Sequence, residues 1–313
     1  MVNTYSDTSG EPTDFLTFWE QAKEQVDSLP KGWKVYESNF SHPTHQCLDL
    51  YFEGVDKALI YAKYLRNSAS ELEPCPVIFV FHGYGESSPP WSRIMNWASA
   101  GFSVLAMDVR GQLGKSGGGN YASQTNVHGQ LMAGIEHGAN NLHFKKVYQD
   151  CYQLISIAKR MPEIDKNRMM TYGSSQGGAL AIISAVLSGS INKIVSIHPF
   201  LANFSLALDM NLSNSPYYEM NKYFKLKDPS HKTKGNIFMQ LEYIDVQLFS
   251  KHLKNKLLGA VTMKDDICPP EIQLAVFNDI SSECTVVTYP EHAHEDIKEF
   301  EDLAFEFITK IKE

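Results

Sequence analysis

Long apolar runs are missing from this sequence. The longest, residues 179–187, is interrupted by Ser184, and a bilayer-crossing helix needs about 20 apolar residues. No membrane span is therefore expected. Basic excess is also missing: 28 Lys and Arg stand against 36 Asp and Glu, for a formal net charge of −8. Nucleic-acid binding needs Lys and Arg concentrated on one face, so that class of partner is excluded. Docking on an anionic membrane is excluded for the same reason. Cysteine is scarce, with Cys47, Cys75, Cys151, Cys268 and Cys284 only. The number is odd, and no CxxC or tight Cys/His spacing occurs, which argues against a disulfide framework and a structural zinc site. The first residues, MVNTYSDTSGEPTDF, hold neither a basic n-region nor an apolar h-region. With reduced thiols, this predicts a cytoplasmic protein.

Repeats, low-complexity tracts and Pro/Gly/Ser linkers are absent too, so residues 1–313 are expected to form one domain. At 43% hydrophobic residues the chain has the apolar content of an ordinary globular core. Apolar residues at Phe15, Phe18, Trp19, Ala22 and Val26 predict an amphipathic helix over 14–27. Fair alternation over 33–40, 47–52 and 58–65 predicts an antiparallel meander.

The pattern then changes. Residues 76–81 (PVIFVF) and 102–107 (FSVLAM) are short continuous apolar runs, which fit strands buried on both faces of a parallel sheet. Further strands are expected at 168–172, 194–197, 257–263 and 285–289. Helices are expected at 91–100, 147–161, 176–187, 270–279 and 295–311. This alternation predicts an α/β fold: a mostly parallel central sheet with helices on both faces, preceded by N-terminal antiparallel strands. Two segments interrupt it, 113–146 and 199–247, the second holding several short helical stretches. Both follow strand ends, where an open α/β sheet keeps its ligands.

Gly173-Ser174-Ser175-Gln176-Gly177 matches G-x-S-x-G. A serine hydroxyl is a poor nucleophile and must project toward both a base and the substrate carbonyl. A sharp strand-to-helix turn achieves that, and its cramped backbone needs the flanking glycines. The pattern alone arises by chance in about one chain in ten of this size. Here its context carries the assignment: the strand RMMTY precedes it and the small-residue helix QGGALAIISAVL follows. Ser174 occupies the wrong place in such a turn.

In a hydrolase of this kind an acid and then a histidine follow the serine, each in a loop after a later strand. Asp265 and Asp266 follow LLGAVTM, and His292 and His294 follow TVVTY. Order and placement fit, but the residues alone do not choose within either pair. An oxyanion hole needs two backbone donors: the N–H after the nucleophile, that of Gln176, and one from the loop after the first parallel strand, for which Tyr84 in His82-Gly83-Tyr84-Gly85 is the candidate.

RGQ (Arg110 to Gln112), GSSQGG (Gly173 to Gly178), DDICPP (Asp265 to Pro270) and HE (His294-Glu295), in this order, resemble carbohydrate esterase family seven of the α/β-hydrolase superfamily. That family contains acetyl xylan esterases and cephalosporin C deacetylases. DFLTFWE, FHGYGE, PFLANFSLAL and LEYIDVQLF extend the similarity over nearly the whole chain.

The resemblance implies Ser175 as nucleophile, His294 as base, Asp265 as the acid, and Tyr84 and Gln176 as oxyanion donors. It also implies Tyr84 and Pro216 at the substrate, with Pro216 in a lid over 199–247, and Arg110 and Gln112 as structural support. No metal or other cofactor is implied. The implied substrates are small acetylated sugars and related esters such as cephalosporin C. The implied assembly is a homo-oligomer, a hexamer built partly through an insertion over 116–148.

Leu113 and Asp296 stand where the family commonly has glycine. Spacing gives Arg110 no role, and without the motif it reads as an ordinary surface arginine. As a support it would hold neighbouring loops by bidentate hydrogen bonds. His128, His137 and His143 lack metal-ligand spacing and read as structural or solvated. Two competing readings remain: a serine hydrolase for another ester or amide, and a non-catalytic binding protein on the same scaffold.

Overall fold

A computed structural model describes residues 10–30, 32–118 and 129–310 of the chain. Among the described residues nine strands form one sheet: β1 (Trp33–Glu37), β2 (Gln46–Glu53), β3 (Leu59–Arg66), β4 (Cys75–Phe81), β5 (Ser103–Met107), β6 (Ile164–Ser174), β7 (Lys193–Ile197), β8 (Lys256–Thr262) and β9 (Cys284–Tyr289). Their spatial order is β1-β2-β3-β5-β4-β6-β7-β8-β9. The first three pair antiparallel, and β3 joins the rest antiparallel through Ala62 opposite Met107. From β5 to β9 every pairing is parallel.

The helices are α1 (Phe15–Asp27), α2 (Trp91–Ser99), α3 (His143–Ala158), α4 (Gln176–Ser188), α5 (Phe204–Met210), α6 (Tyr218–Lys227), α7 (Lys234–Leu241), α8 (Val246–Ser250), α9 (Pro270–Asn278) and α10 (Lys298–Thr309). The expected α/β architecture is therefore the one observed.

Strand β4 explains the layering. Its residues alternate between two cores, with Val77, Phe79 and Phe81 in one and Ile78 and Val80 in the other. Both cores are apolar, so the strand reads as an unbroken hydrophobic run rather than as an alternating one. Helix α4 lies wholly within the first core, and α2 and α10 close the second. A buried side chain such as Phe79 contributes on the order of 2–3 kcal/mol by leaving water.

Chain order creates the crevice. From β4 the chain steps outward to β5, then returns across β4 to form β6. At such a reversal the loops leaving the strand ends part, and ligands bind there. The loops after β4, β5 and β6 carry Tyr84, Arg110 with Gln112, and Ser175. The next three carry His198, Asp265 and His294.

Several boundaries move from their expected places. Helix α3 starts at His143, not at 147. Its charged first turn obscured the periodicity, although Phe144 and the stem of Lys145 are buried. Strand β6 runs from Ile164 to Ser174, six residues beyond 168–172 in total at its two ends, because Ile164 pairs with Cys75 and Ser174 with Ile197. It delivers the chain directly to Ser175. Helix α10 begins at Lys298 rather than 295, since the preceding residues form the loop that holds His294.

Within 116–148 the described part holds two short 3₁₀ turns, Ile135–His137 and Ala139–Asn141, and the start of α3. His128 lies outside the described residues. The segment 199–247 contains α5, α6, α7 and the start of α8.

Candidate active site

Ser175 sits at the junction of β6 and α4 with φ 56° and ψ −121°. A non-glycine residue held there stores on the order of 1–3 kcal/mol of strain. The surrounding backbone holds it in place: Ser175 N–H donates to Ile197 O at 2.9 Å, and Phe200 N–H donates to Ser175 O at 3.2 Å. The flanking glycines are required by close approach. A Cβ on Gly173 would stand 2.2 Å from the Gly177 backbone, and one on Gly177 would stand 2.1 Å from Phe81 O. Ser174 turns elsewhere, its Oγ 2.7 Å from His198 Nε2.

The structure separates the paired candidates. Asp265 is buried and collects five donors. Oδ1 accepts from the N–H groups of Ile267 at 2.9 Å and Cys268 at 2.8 Å. Oδ2 accepts from Thr262 Oγ1 at 3.1 Å and Gln273 Nε2 at 3.1 Å, and lies 2.8 Å from His294 Nδ1. Burial works against this carboxylate, but the hydrogen bonds from His294 and Cys268 outweigh it, and its pKa falls below the ordinary value. Asp266 is exposed and, among the described residues, accepts from Asn214 Nδ2 alone, at 3.3 Å. His292 stacks edge-on against Tyr289 instead.

The contact with Asp265 leaves His294 Nε2 as the free ring nitrogen. Ser175 Oγ is not hydrogen-bonded to it. The neighbour of Oγ is Cys268 Sγ at 4.0 Å. Burial pushes the Cys268 thiol well up, so it stays protonated.

His198 packs against His294, ring centroids 4.3 Å apart and planes 39° apart. Burial, then the neighbouring His294, pushes its pKa down to about 3, so it is neutral. Among the described residues, His198, Asp265 and His294 are the one group whose ligand atoms lie close enough for a metal, within 4.8 Å of one another. Each of the three already has a hydrogen-bond partner: His294 Nδ1 lies 2.8 Å from Asp265 Oδ2, and His198 Nε2 lies 2.7 Å from Ser174 Oγ.

Gln176 opens α4, so its N–H has no helical acceptor. Neither it nor Tyr84 N–H donates to an acceptor among the described residues. A network ties both donors together. Gln112 Nε2 donates to Gln176 Oε1 at 2.7 Å and to Gln130 Oε1 at 2.9 Å, and Gln112 Oε1 accepts from Gly85 N–H at 3.0 Å. His82 fixes the same loop: Nε2 accepts from Val109 N–H at 2.9 Å, which leaves Nδ1–H to donate to Gly83 O at 2.8 Å.

Arg110 is no surface residue. It is 1% exposed and donates through Nε and Nη2 to both oxygens of Asp150, each at 2.6 Å. It thus anchors the loop after β5 to helix α3, and its Nη1 also donates to Val55 O at 3.4 Å in the connection between β2 and β3. Leu113 is 60% exposed, and its N–H donates to Glu86 O at 3.1 Å. Asp296 pairs with Arg93 at 2.7 Å on the surface.

Beside Tyr84 opens a cavity of about 640 Å³, lined among others by Met132, Pro216, Tyr218, Glu219 and Tyr223. That is the size of a small-molecule site, with aromatic faces and a few polar groups. Pro216, expected at the substrate, lines this cavity with Tyr84, whereas Ser175, Asp265 and His294 are not among its lining residues.

Sequence reasoning missed Thr262, Gln273, His198, Glu219 and Asp150. Only Asp150 left a signal, an acid in a helix face otherwise apolar at Val147, Cys151 and Leu154.

A serine at a strained strand-to-helix turn, an Asp–His pair on the following loops and two free N–H groups define a hydrolase of the α/β-hydrolase fold. Residues 1–311 match the acetyl xylan esterase (AXE1) family. The chain belongs to that family, and so to the carboxylic ester hydrolases.

Among solved structures, acetyl xylan esterase 1 from Thermoanaerobacterium sp. JW/SL YS485 superposes with a TM-score of 0.91 at 36% identity, over 96% of this chain and 95% of that one. Acetyl xylan esterase from Paenibacillus sp. R4 gives 0.88 at 27% identity, over 95% and 94%. The acetyl esterase Axe7A of Xylanibacter ruminicola is 24% identical over 289 residues, which is 90% of this chain and 63% of that relative.

Proposed function

We propose that this protein is a serine esterase that removes acetyl groups from small acetylated sugars, acetylated xylo-oligosaccharides among them, and from related esters such as cephalosporin C. The observation that carries the reading is the 2.8 Å contact of His294 Nδ1 with buried Asp265, at the strand ends where Ser175 is held. On substrate entry Ser175 Oγ turns from Cys268 to His294 Nε2, as apo contacts of this kind tighten in the complex. Oγ attacks the acetyl carbonyl, and Nε2 takes its proton. The carbonyl oxygen becomes an oxyanion, held by Tyr84 and Gln176 N–H. The tetrahedral centre collapses, the alcohol leaves with the proton from His294, and water then hydrolyses the acetyl-serine by the same steps. Asp265 keeps the imidazole in the right tautomer and steadies its positive charge. The similar acetyl xylan esterases support the acyl group and the sugar.

The reading extends to assembly and place. The chain acts as a homo-hexamer joined partly through 116–148, and in the cytoplasm. The family resemblance supports the first. Five free cysteines support the second. Light scattering of the purified protein reads the assembly directly.

An acyl-length series of 4-nitrophenyl esters tests the substrate reading. Acetyl ester should be turned over at least 100-fold better than the ester of about eight carbons, since each methylene that does not fit the site costs about 1 kcal/mol or more. Equal turnover of the long ester would contradict it.

A further inference from the structure

The carboxylate of Glu219, on lid helix α6, receives donors from two separate segments. Oε1 accepts from Tyr84 O–H at 2.8 Å and from Gly129 N–H at 2.7 Å, and Oε2 accepts from Leu131 N–H at 2.9 Å. Gln130 N–H donates in turn to Tyr84 Oη at 3.2 Å. One side chain thus joins the segment 199–247, the insertion after β5 and the loop after β4. Burial, then the adjacent carboxylate, pushes the Tyr84 phenol well up, so it remains a donor. Hydrogen bonds to a charged acceptor are about twice as strong as neutral ones.

The loop so anchored carries the backbone N–H of Tyr84, which the esterase reading assigns to the reacting oxygen. On the far side Gly85 N–H is held by Gln112, which also holds Gln176. The loop is therefore pinned by Gln112 from the loop after β5 and by Glu219 from the lid. Oxyanion donors act through preorganisation, and a displacement of about 1 Å costs on the order of 100-fold in rate.

We infer that Glu219 is a positioning residue that sets the Tyr84 oxyanion donor, so that lid and insertion must be in place for catalysis. This deepens the esterase reading and rests on it. Glu219 touches no reacting atom. It acts through Tyr84, so its effect appears in the transition state rather than in ground-state binding.

The test compares wild type, Glu219→Gln, Tyr84→Phe and the double variant, with 4-nitrophenyl acetate as substrate and methylboronic acid as inhibitor. The boron adds the serine oxygen to become a tetrahedral anion, one of whose oxygens takes the oxyanion position. Glu219→Gln should lower kcat about 10- to 100-fold with KM changed less than about 3-fold, and should raise the boronate Ki by the same factor as kcat falls. Tyr84→Phe keeps the backbone donor and should lose less, while the double variant should be no worse than Glu219→Gln alone.

Wild-type kcat in Glu219→Gln overturns the inference. So does a fall in kcat with unchanged boronate affinity, or additive losses in the double variant. Should Glu219→Gln fail to fold, Tyr84→Phe decides alone: an unchanged kcat and Ki overturn the inference. A wild type that hydrolyses no acetyl ester overturns the esterase reading itself, an outcome distinct from an active wild type with an equally active Glu219→Gln.

Discussion

Arg110 and Asp150 face each other fork to fork, two contacts of 2.6 Å between side chains each 1% exposed. A buried pair of this kind adds little net stability over an apolar replacement of both partners, yet breaking one side of it strands a charge. Its use here is geometric. It fastens the loop after β5, which also carries Gln112, to helix α3.

Arg110→Ala should therefore destabilise the protein by on the order of 3–5 kcal/mol. Arg110→Lys should recover only part of that, since an ammonium cannot match both carboxylate oxygens. Urea unfolding of the two variants and the wild type measures this. Equal midpoints for all three would contradict the anchoring role.

The tautomer of His294 depends on Asp265. Asp265→Asn keeps the shape but removes the acceptor charge and offers an amide N–H where the imidazole N–H must donate. We expect kcat for an acetyl ester to drop about 10⁴-fold with a small change in KM. Asp266→Asn, an exposed neighbour, should stay within about 2-fold of wild type. Steady-state kinetics at fixed pH reads both, and comparable losses at the two positions would remove Asp265 from its assigned role.

His198 makes stability depend on pH. Its folded pKa is depressed to about 3, whereas the unfolded value is about 6.5. Between these values the unfolded chain binds the extra proton, so stability falls as pH drops from about 6.5 toward about 3. One such group contributes at most about 1.4 kcal/mol per pH unit. His198→Phe should flatten the pH dependence of the urea midpoint across that window. An unchanged slope would mean that His198 charges as easily in the fold as out of it.

Legibility in the sequence followed periodicity and motif. The apolar runs of β4 and β5 gave their strands to within a residue or two, and G-x-S-x-G gave Ser175 because its glycines are forced by contacts with Phe81 and Gly177. The choice of Asp265 over Asp266, and of His294 over His292, needed either the family resemblance or the fold. Alternate neighbours in a loop differ in burial and direction, which no local pattern encodes. Glu219 and Gln273 were invisible for the same reason: their partners come from Tyr84, Gly129 and Leu131, or from Thr262, Asp265 and Cys268, and a polar residue on a short helix carries no mark of a distant acceptor or donor. Arg110 looked like a surface residue because the sequence does not say which helix face will meet it.

Catalysis by this site passes through a covalent acetyl group on Ser175. Rapid acid quench of the protein with 4-nitrophenyl acetate, followed by tryptic peptide mass spectrometry, reads it. An acetyl adduct is expected on the peptide spanning 169–193, localised by fragmentation to Ser175 rather than Ser174, and absent from Ser175→Ala. Turnover that persists in Ser175→Ala, or an acetyl group on Ser174 instead, would contradict it.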